Sequence, residues 1–408
     1  MLDQVSCRRR MAHRGDGTMR YEDGSFYRFP ERRWSFSNWR QFRPTVTVCR
    51  GTVTPAPLPE AGRRDLDDVR FTPIGGGTAM SWYESLDTNY TDGILVLHRG
   101  HIVYERYFGA LTADQPHIAF SVTKSFFGTL AATLIAEGSL DASALISSYV
   151  PELATSAFGD ASVAEVLDMT TALDFVEDYA EPPPTMARYR RATGFMPRAP
   201  TDDGPRSIHE FLPTLTGDGV HGDAFRYRTP NTDVVGWLIA RATGHSPAEV
   251  LQERIWSRIG AEGDAYLAVD DAGTPLAGSG LNLRLRDLAR FGEMMRLRGR
   301  FNGQQVVPAT VVDDIRRGGS RAAFAKAGYS TLPGWSYRCH WWISHDDHGV
   351  FAARGIHGQA VLVDPAAEMV ITRFASHPRA ANADIDPTSL PAYRAVAEHL
   401  MRVPHPPG

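Results

Sequence analysis

The sequence predicts an α/β chain of the α+β kind, with an antiparallel sheet flanked by helices and a mostly helical second domain. Three observations predict it. Runs rich in β-branched and aromatic residues stand near both ends of the chain, at 93–108 and 340–374. The residues between them show helical spacing, with Ser, Thr or Pro at starts and Gly at stops. A hairpin signal also falls immediately before a long apolar helix that begins at or next to Ser121 and is stopped by Gly138. The economical division is a sheet domain built from residues 31–125 and 280–408, with a mostly helical domain over 126–279 between them.

Each element has its own signal. Residues 1–30 carry Arg8-Arg9-Arg10 with no apolar run behind them, and are expected to be a disordered leader rather than a secretory signal. From Trp34 to Pro59 the aromatics Trp34, Phe36, Trp39 and Phe42 alternate with Arg and Pro, as in an extended arm pinned to the body. Residues 65–85 read as a weakly ordered turn around Gly75-Gly76-Gly77. Gly93 to Phe108 reads as two strands about His98-Arg99-Gly100.

After Gly138, residues 140–153 read as loop and short helix, and Val163–Met169 and Ser207–Leu215 as short helices. Residues 180–206, with Pro182-Pro183-Pro184 and the cluster from Arg188 to Arg191, are too long for a plain connection and are expected to be a loop covering the site. Asn231 or Thr232 can cap an apolar helix that Gly244 stops. Ser246–Ile259 and Leu285–Met295 are also expected as helices, the latter capped near Asn282. The strands His340–Ser344, Gly349–Gly355, Gln359–Val363 and Met369–Phe374 follow, and Ser389–Met401 closes the chain as a helix.

The bulk numbers exclude several functions. A net charge of −4 gives no electrostatic case for nucleic acid or an anionic membrane. No run reaches the apolar length of a membrane span. Three scattered cysteines, Cys7, Cys49 and Cys339, argue against a disulfide scaffold and against a thiolate zinc site, and suit a cytoplasmic location. No His/Cys set has metal-ligand spacing, so no metal or organic cofactor is expected. The cluster His345-Asp346-Asp347-His348 reads as a solvated turn.

The chemistry gathers at Ser121 and Lys124. A serine at a helix start and a lysine three residues on share one face, placing a hydroxyl nucleophile beside an amine that can take its proton. Ser is also a common N-cap and Lys a common first-turn residue, so the pair alone is equally an ordinary helix start. The residues that follow make the difference. Phe126, Phe127, Leu130, Ala131, Leu134 and Ile135 leave nearly every face apolar, so the helix is expected to be buried and its lysine to be poorly hydrated.

Three segments together carry a resemblance: Ser121-Val122-Thr123-Lys124, Tyr227-Arg228-Thr229-Pro230-Asn231-Thr232-Asp233, and Gly355-Ile356-His357-Gly358-Gln359. From about Trp34 to about His377 the chain resembles the serine hydrolases of the class C β-lactamase and DD-peptidase type. Within that group it is similar to the 6-aminohexanoate-dimer (nylon oligomer) hydrolases and related carboxylesterases. The resemblance implies a β-lactamase/transpeptidase-like fold and hydrolysis of small linear amides and short-chain esters through an acyl-enzyme. It implies Ser121 as nucleophile, Lys124 as proton acceptor and Tyr227 as the phenol that passes the proton to the leaving group. The implied oxyanion hole is the backbone N–H pair of Ser121 and Ile356.

Tyr179 matches a tyrosine that closes over bound amide, and Trp342 an aromatic of the pocket wall. Asn231 is either a helix cap or a substrate contact, and His357 either structural or essential. Where β-lactamases carry Lys-Thr-Gly this chain has Ala353-Arg354-Gly355, which puts strong β-lactamase activity in doubt and leaves Arg354 as a replacement carboxylate clamp. A carboxylesterase with little amidase activity, a weak β-lactamase or DD-peptidase, and a ligand-binding homologue without turnover stay open, as does a homodimer.

Overall fold

The computed structural model describes residues 19–402. Its centre is a seven-stranded antiparallel sheet made of β1 (Thr91–His98), β2 (His101–Tyr107), β3 (Ser336–Arg338), β4 (Trp341–Ile343), β5 (Phe351–Gly355), β6 (Gln359–Asp364) and β7 (Met369–Ala375), in the spatial order β3-β4-β5-β6-β7-β1-β2. The first and last parts of the chain meet where β7 pairs with β1, Val370 opposite Leu97 and Thr372 opposite Leu95. The β1–β2 hairpin turns on Arg99 and Gly100, both with left-handed φ (52° and 81°), while His98 and His101 pair within the strands. Two successive positive φ values match the twist of the flanking strands.

Period-two alternation decides what covers each face. Ile94, Val96, Met369 and Ile371 join Trp82, Leu86, Tyr393 and Val396 in one core, beneath the helix Trp82–Thr88 and the C-terminal helix Asp386–Arg402. Leu95, Leu97, Val361 and Val370 join the other core, with Phe126, Phe291 and Met294. Those last residues come from α1 (Val122–Ala136) and α2 (Leu285–Arg296), which lie against this face. From Val122 to Leu134 every residue of α1 is buried, as its all-round apolar sequence predicts.

Several expectations are corrected. Residues 1–18 of the expected leader lie outside the described residues. From residue 19 the chain is packed: Phe26 is fully buried, 5.5 Å from Trp39 and 5.2 Å from Phe42 between ring centroids. Tyr21, Phe26 and Tyr27 are core anchors that a reading based on arginines overlooks. Residues 65–85 are ordered through a 3-10 turn, a two-stranded ribbon and the helix at Trp82, which a Ser81–Glu84 capping box starts.

The helix at Leu285 is entered from Arg284, because Asn282 sits in the strand Leu281–Leu283. That strand belongs to a four-stranded sheet with Thr45–Val48, Ala265–Ala268 and His117–Ile118. The sheet therefore knits the arm to a segment inside the 126–279 region. Ala265-Tyr-Leu-Ala268 is a four-residue apolar run, too short for periodicity to separate strand from helix. Residues 180–206 are not a plain loop either, since Pro184–Ala192 is a helix with Pro at its first turn.

Candidate active site

Phe120 carries a left-handed φ of 43°, rare for an aromatic residue. Its ring is locked against Phe36 at 4.9 Å, and this kink puts Ser121 at the mouth of α1. One helical turn on, Lys124 Nζ lies 2.8 Å from Ser121 Oγ and 2.6 Å from the carbonyl oxygen of Gly278. Lys124 is 1% exposed. Burial outweighs the nearby Glu177 and Asp233 carboxylates and draws its amine down to about 8.

Gly278 is glycine for a steric reason. A Cβ there would come within 2.5 Å of Thr229 Cγ2 and 3.0 Å of Asp233 Oδ1. Its own N–H donates to Asp233 Oδ1 at 3.1 Å, and the Tyr189 hydroxyl donates to Asp233 Oδ2 at 2.7 Å. Burial lifts the Asp233 carboxyl to about 6 despite those donors.

Tyr227 comes from the turn before the helix Pro230–Thr243, and its phenol shares the buried site with Ser121 and Lys124. Its ring stacks on Trp342 at 5.5 Å, with Lys124 Nζ 5.3 Å from the ring centroid. Burial holds its phenol well above the ordinary tyrosine value, so it stays protonated where Lys124 is already partly neutral. Of the two, the amine is the better base and the phenol the better proton donor.

The end of β5 closes the other side. A Cβ at Gly355 would lie 2.8 Å from the Ala119 carbonyl oxygen and 3.1 Å from Ser121 N. Glycine thus lets the backbone that continues into Ile356 come alongside the Ser121 turn. Ile356 and Ser121 line one pocket together with Tyr179, Tyr189, Phe195 and Tyr27.

The remaining expected site residues fall in two groups. Tyr179 is on the pocket wall and donates to Glu177 at 2.6 Å; Trp342 touches the site through Tyr227. Asn231, His357 and Arg354 are engaged elsewhere. Asn231 is fully buried inside the first turn of its helix, accepts from Thr171 Oγ1 at 2.6 Å and donates to the Arg228 carbonyl, so it brackets two loops rather than capping through its side chain. His357, at φ 62°, meets the Tyr27 hydroxyl, the Arg32 guanidinium and the His377 carbonyl, and burial pulls its ring down to about 3. Arg354 forms a buried ion pair with Asp386 and lies over Trp342 at 5.1 Å, so its guanidinium is already neutralised. Alternation along a strand gives a side chain's face and says nothing of its partner.

Sequence reasoning missed Glu177, Asp233, Tyr189 and Tyr27. Glu177 accepts from Thr229 N at 2.6 Å and Thr229 Oγ1 at 2.7 Å, tying the Tyr179 loop to the start of the Tyr227 helix. The available signal was Asp233 itself, a carboxylate set among apolar helix residues, which must find donors when buried. Among the described residues no group of three or more His, Cys, Asp or Glu side chains is placed to hold a metal ion.

The arrangement sets a poorly protonated amine against a buried serine, with a protonated phenol alongside. Comparison with known proteins agrees with that chemistry. The Beta-lactamase family profile matches residues 90–390. The chain is 35% identical over 355 residues to the 6-aminohexanoate-dimer hydrolase of Paenarthrobacter ureafaciens, covering 87% of this chain and 88% of that one. A solved structure from Bacillus anthracis, provisionally assigned as a 6-aminohexanoate-dimer hydrolase, superposes with a TM-score of 0.85 at 32% identity, over 93% of this chain and 97% of that one. A family VIII carboxylesterase shares the fold at 15% identity and a TM-score of 0.55, over 77% of this chain and 96% of that one. This chain belongs to the Beta-lactamase family and is a serine hydrolase.

Proposed function

We propose that the enzyme hydrolyses small linear amides and short-chain esters through an acyl-enzyme on Ser121. The observation that carries this reading is the buried Lys124 amine, 2.8 Å from Ser121 Oγ and with its affinity for a proton reduced to about 8. Neutral Lys124 takes the Ser121 proton as Oγ bonds to the substrate carbonyl carbon. The carbonyl oxygen becomes an oxyanion facing the N–H groups of Ser121 and Ile356, each donor being worth roughly 3–4 kcal/mol of barrier. The proton passes through the Tyr227 hydroxyl to the departing amine or alkoxide, and water then releases the acid by the same route in reverse.

In this reading Tyr179 and Trp342 shape the pocket, while Asn231, His357 and Arg354 hold the scaffold. The engagement of Arg354 by Asp386 supports linear substrates over β-lactams, because no free cation then replaces the missing Lys-Thr-Gly at that strand. The scattered cysteines favour a cytoplasmic enzyme, which cell fractionation checks.

The test is mass spectrometry after a fluorophosphonate probe, with amide, ester and β-lactam substrates screened in parallel. We expect one adduct on Ser121, strongly slowed in Lys124→Ala, with amide and ester turnover. Absence of the adduct in a folded protein would favour a binding protein without turnover.

A further inference from the structure

The pocket that opens on Ser121 has a mainly aromatic and aliphatic wall, and one cation stands on it. Arg190 lies on the helix Pro184–Ala192, with its guanidinium carbon 5.6 Å from the Tyr27 ring centroid. Its neighbours on the same segment are paired: Arg191 Nε is 2.5 Å and Arg198 Nη2 3.6 Å from the Asp202 carboxylate. Among the described residues Arg190 has no carboxylate within ion-pair distance.

The charges around it do not neutralise it. Arg32 lies over the same Tyr27 ring at 5.2 Å, and its own N–H groups go to the carbonyls of Tyr27 and Pro378 and to His357. The His357 ring, which meets Arg32 and the Tyr27 hydroxyl, is held neutral by burial. The polar groups beside Arg190 are committed to one another: the Tyr189 hydroxyl to Asp233, and the Thr193 hydroxyl to the Tyr189 and Arg190 carbonyls. The Glu177 and Asp233 carboxylates act on Lys124 and hold their own donors. A half-buried guanidinium with an open fork, set in an apolar pocket beside a second cation, favours an anion there, and a carboxylate fits the fork with two parallel hydrogen bonds.

We propose that Arg190 is a specificity-determining residue that receives a carboxylate on the substrate arm filling this pocket, so that the preferred substrates are amides or esters with a terminal carboxylate. The inference rests on the hydrolase reading above and adds the charge of the substrate to it.

The experiment compares kcat/KM for substrates that differ only in one charge. On the acyl side these are the p-nitrophenyl monoester of adipic acid, its methyl-capped form, and p-nitrophenyl 6-aminohexanoate. On the leaving side they are the hexanoyl esters of 4-hydroxybenzoate and of its methyl ester. We expect the free carboxylate to be preferred by about tenfold or more on one of the two sides, relative to the ratio in Arg190→Gln. Arg190→Glu should favour the aminohexanoate ester instead. The preference should weaken with added salt and stay level from pH 6.5 to 9, because a guanidinium does not titrate there.

No preference on either side, or an equal preference in Arg190→Gln, would overturn the inference. Fluorophosphonate labelling of Ser121 is run on each protein. Labelling without charge preference defeats this inference alone, whereas an unlabelled, folded wild type defeats the hydrolase reading beneath it.

Discussion

Acylation of Ser121 should depend on pH through one buried amine, and the structure gives the scale. With Lys124 at about 8, about a tenth of the molecules hold a neutral amine at pH 7, half at pH 8 and about nine-tenths at pH 9. The acylation rate should therefore rise about fivefold from pH 7 to pH 8 and less than twofold from pH 8 to pH 9. Stopped-flow measurement of the p-nitrophenol burst from p-nitrophenyl acetate, between pH 6 and 9.5, isolates that step.

The position of the inflection is set by opposing forces, since burial lowers the amine's affinity for a proton while the Glu177 and Asp233 carboxylates raise it. Glu177→Gln should move the inflection to lower pH, and Asp233→Asn should move it the same way. Local damage could slow either variant, but it would not shift both titrations in the direction of a lost negative charge. A flat wild-type profile between pH 7 and 9, or an inflection that neither variant moves, would refute the assignment of Lys124 as base.

Three further outcomes follow from the same geometry. Tyr227→Phe removes the phenol hydroxyl beside Lys124 and Ser121, so amide turnover should fall well below p-nitrophenyl ester turnover, because an amine leaves only after gaining a proton; equal losses on the two substrates would count against the leaving-group role. Gly355→Ala introduces a Cβ 2.8 Å from the Ala119 carbonyl and 3.1 Å from Ser121 N, and should lower kcat by about 10²-fold or more through the oxyanion donors with the far-ultraviolet circular dichroism unchanged. Lys124→Met should abolish turnover yet raise Tm at pH 7. The folded-state value of about 8 lies below the ordinary 10.5, so the unfolded chain binds more protons between those pH values, and the buried charge costs about 3 kcal/mol below pH 8. Losing the donor to the Gly278 carbonyl returns about 1–2 kcal/mol of that, so the net gain should be about 1–2 kcal/mol at pH 7, should vanish between about pH 9 and 10 and should turn into a small net loss by pH 10.5, which thermal scans across pH would read.

What the sequence by itself determined is local. Ser121 and Lys124 are one turn apart on a helix whose apolar surroundings were already written in Phe126, Phe127 and Leu130, so a buried serine–lysine pair could be read from the spacing together with that apolar run. The β1–β2 hairpin was legible for the same reason, although its turn is Arg99-Gly100 rather than three residues. The family resemblance extended this reading to Tyr227, which no local pattern connects to residue 121.

Only the tertiary structure decided which groups surround that pair. The carbonyl that receives Lys124 lies 154 residues away at Gly278, and the carboxylate that orders Gly278 belongs to Asp233. Arg354 and Arg190 look alike in sequence, yet one is neutralised by Asp386 and the other faces an open pocket. Periodicity records which face of an element is apolar. It holds no information about which distant carboxylate will arrive beside a buried charge, because that pairing is settled by how the layers pack.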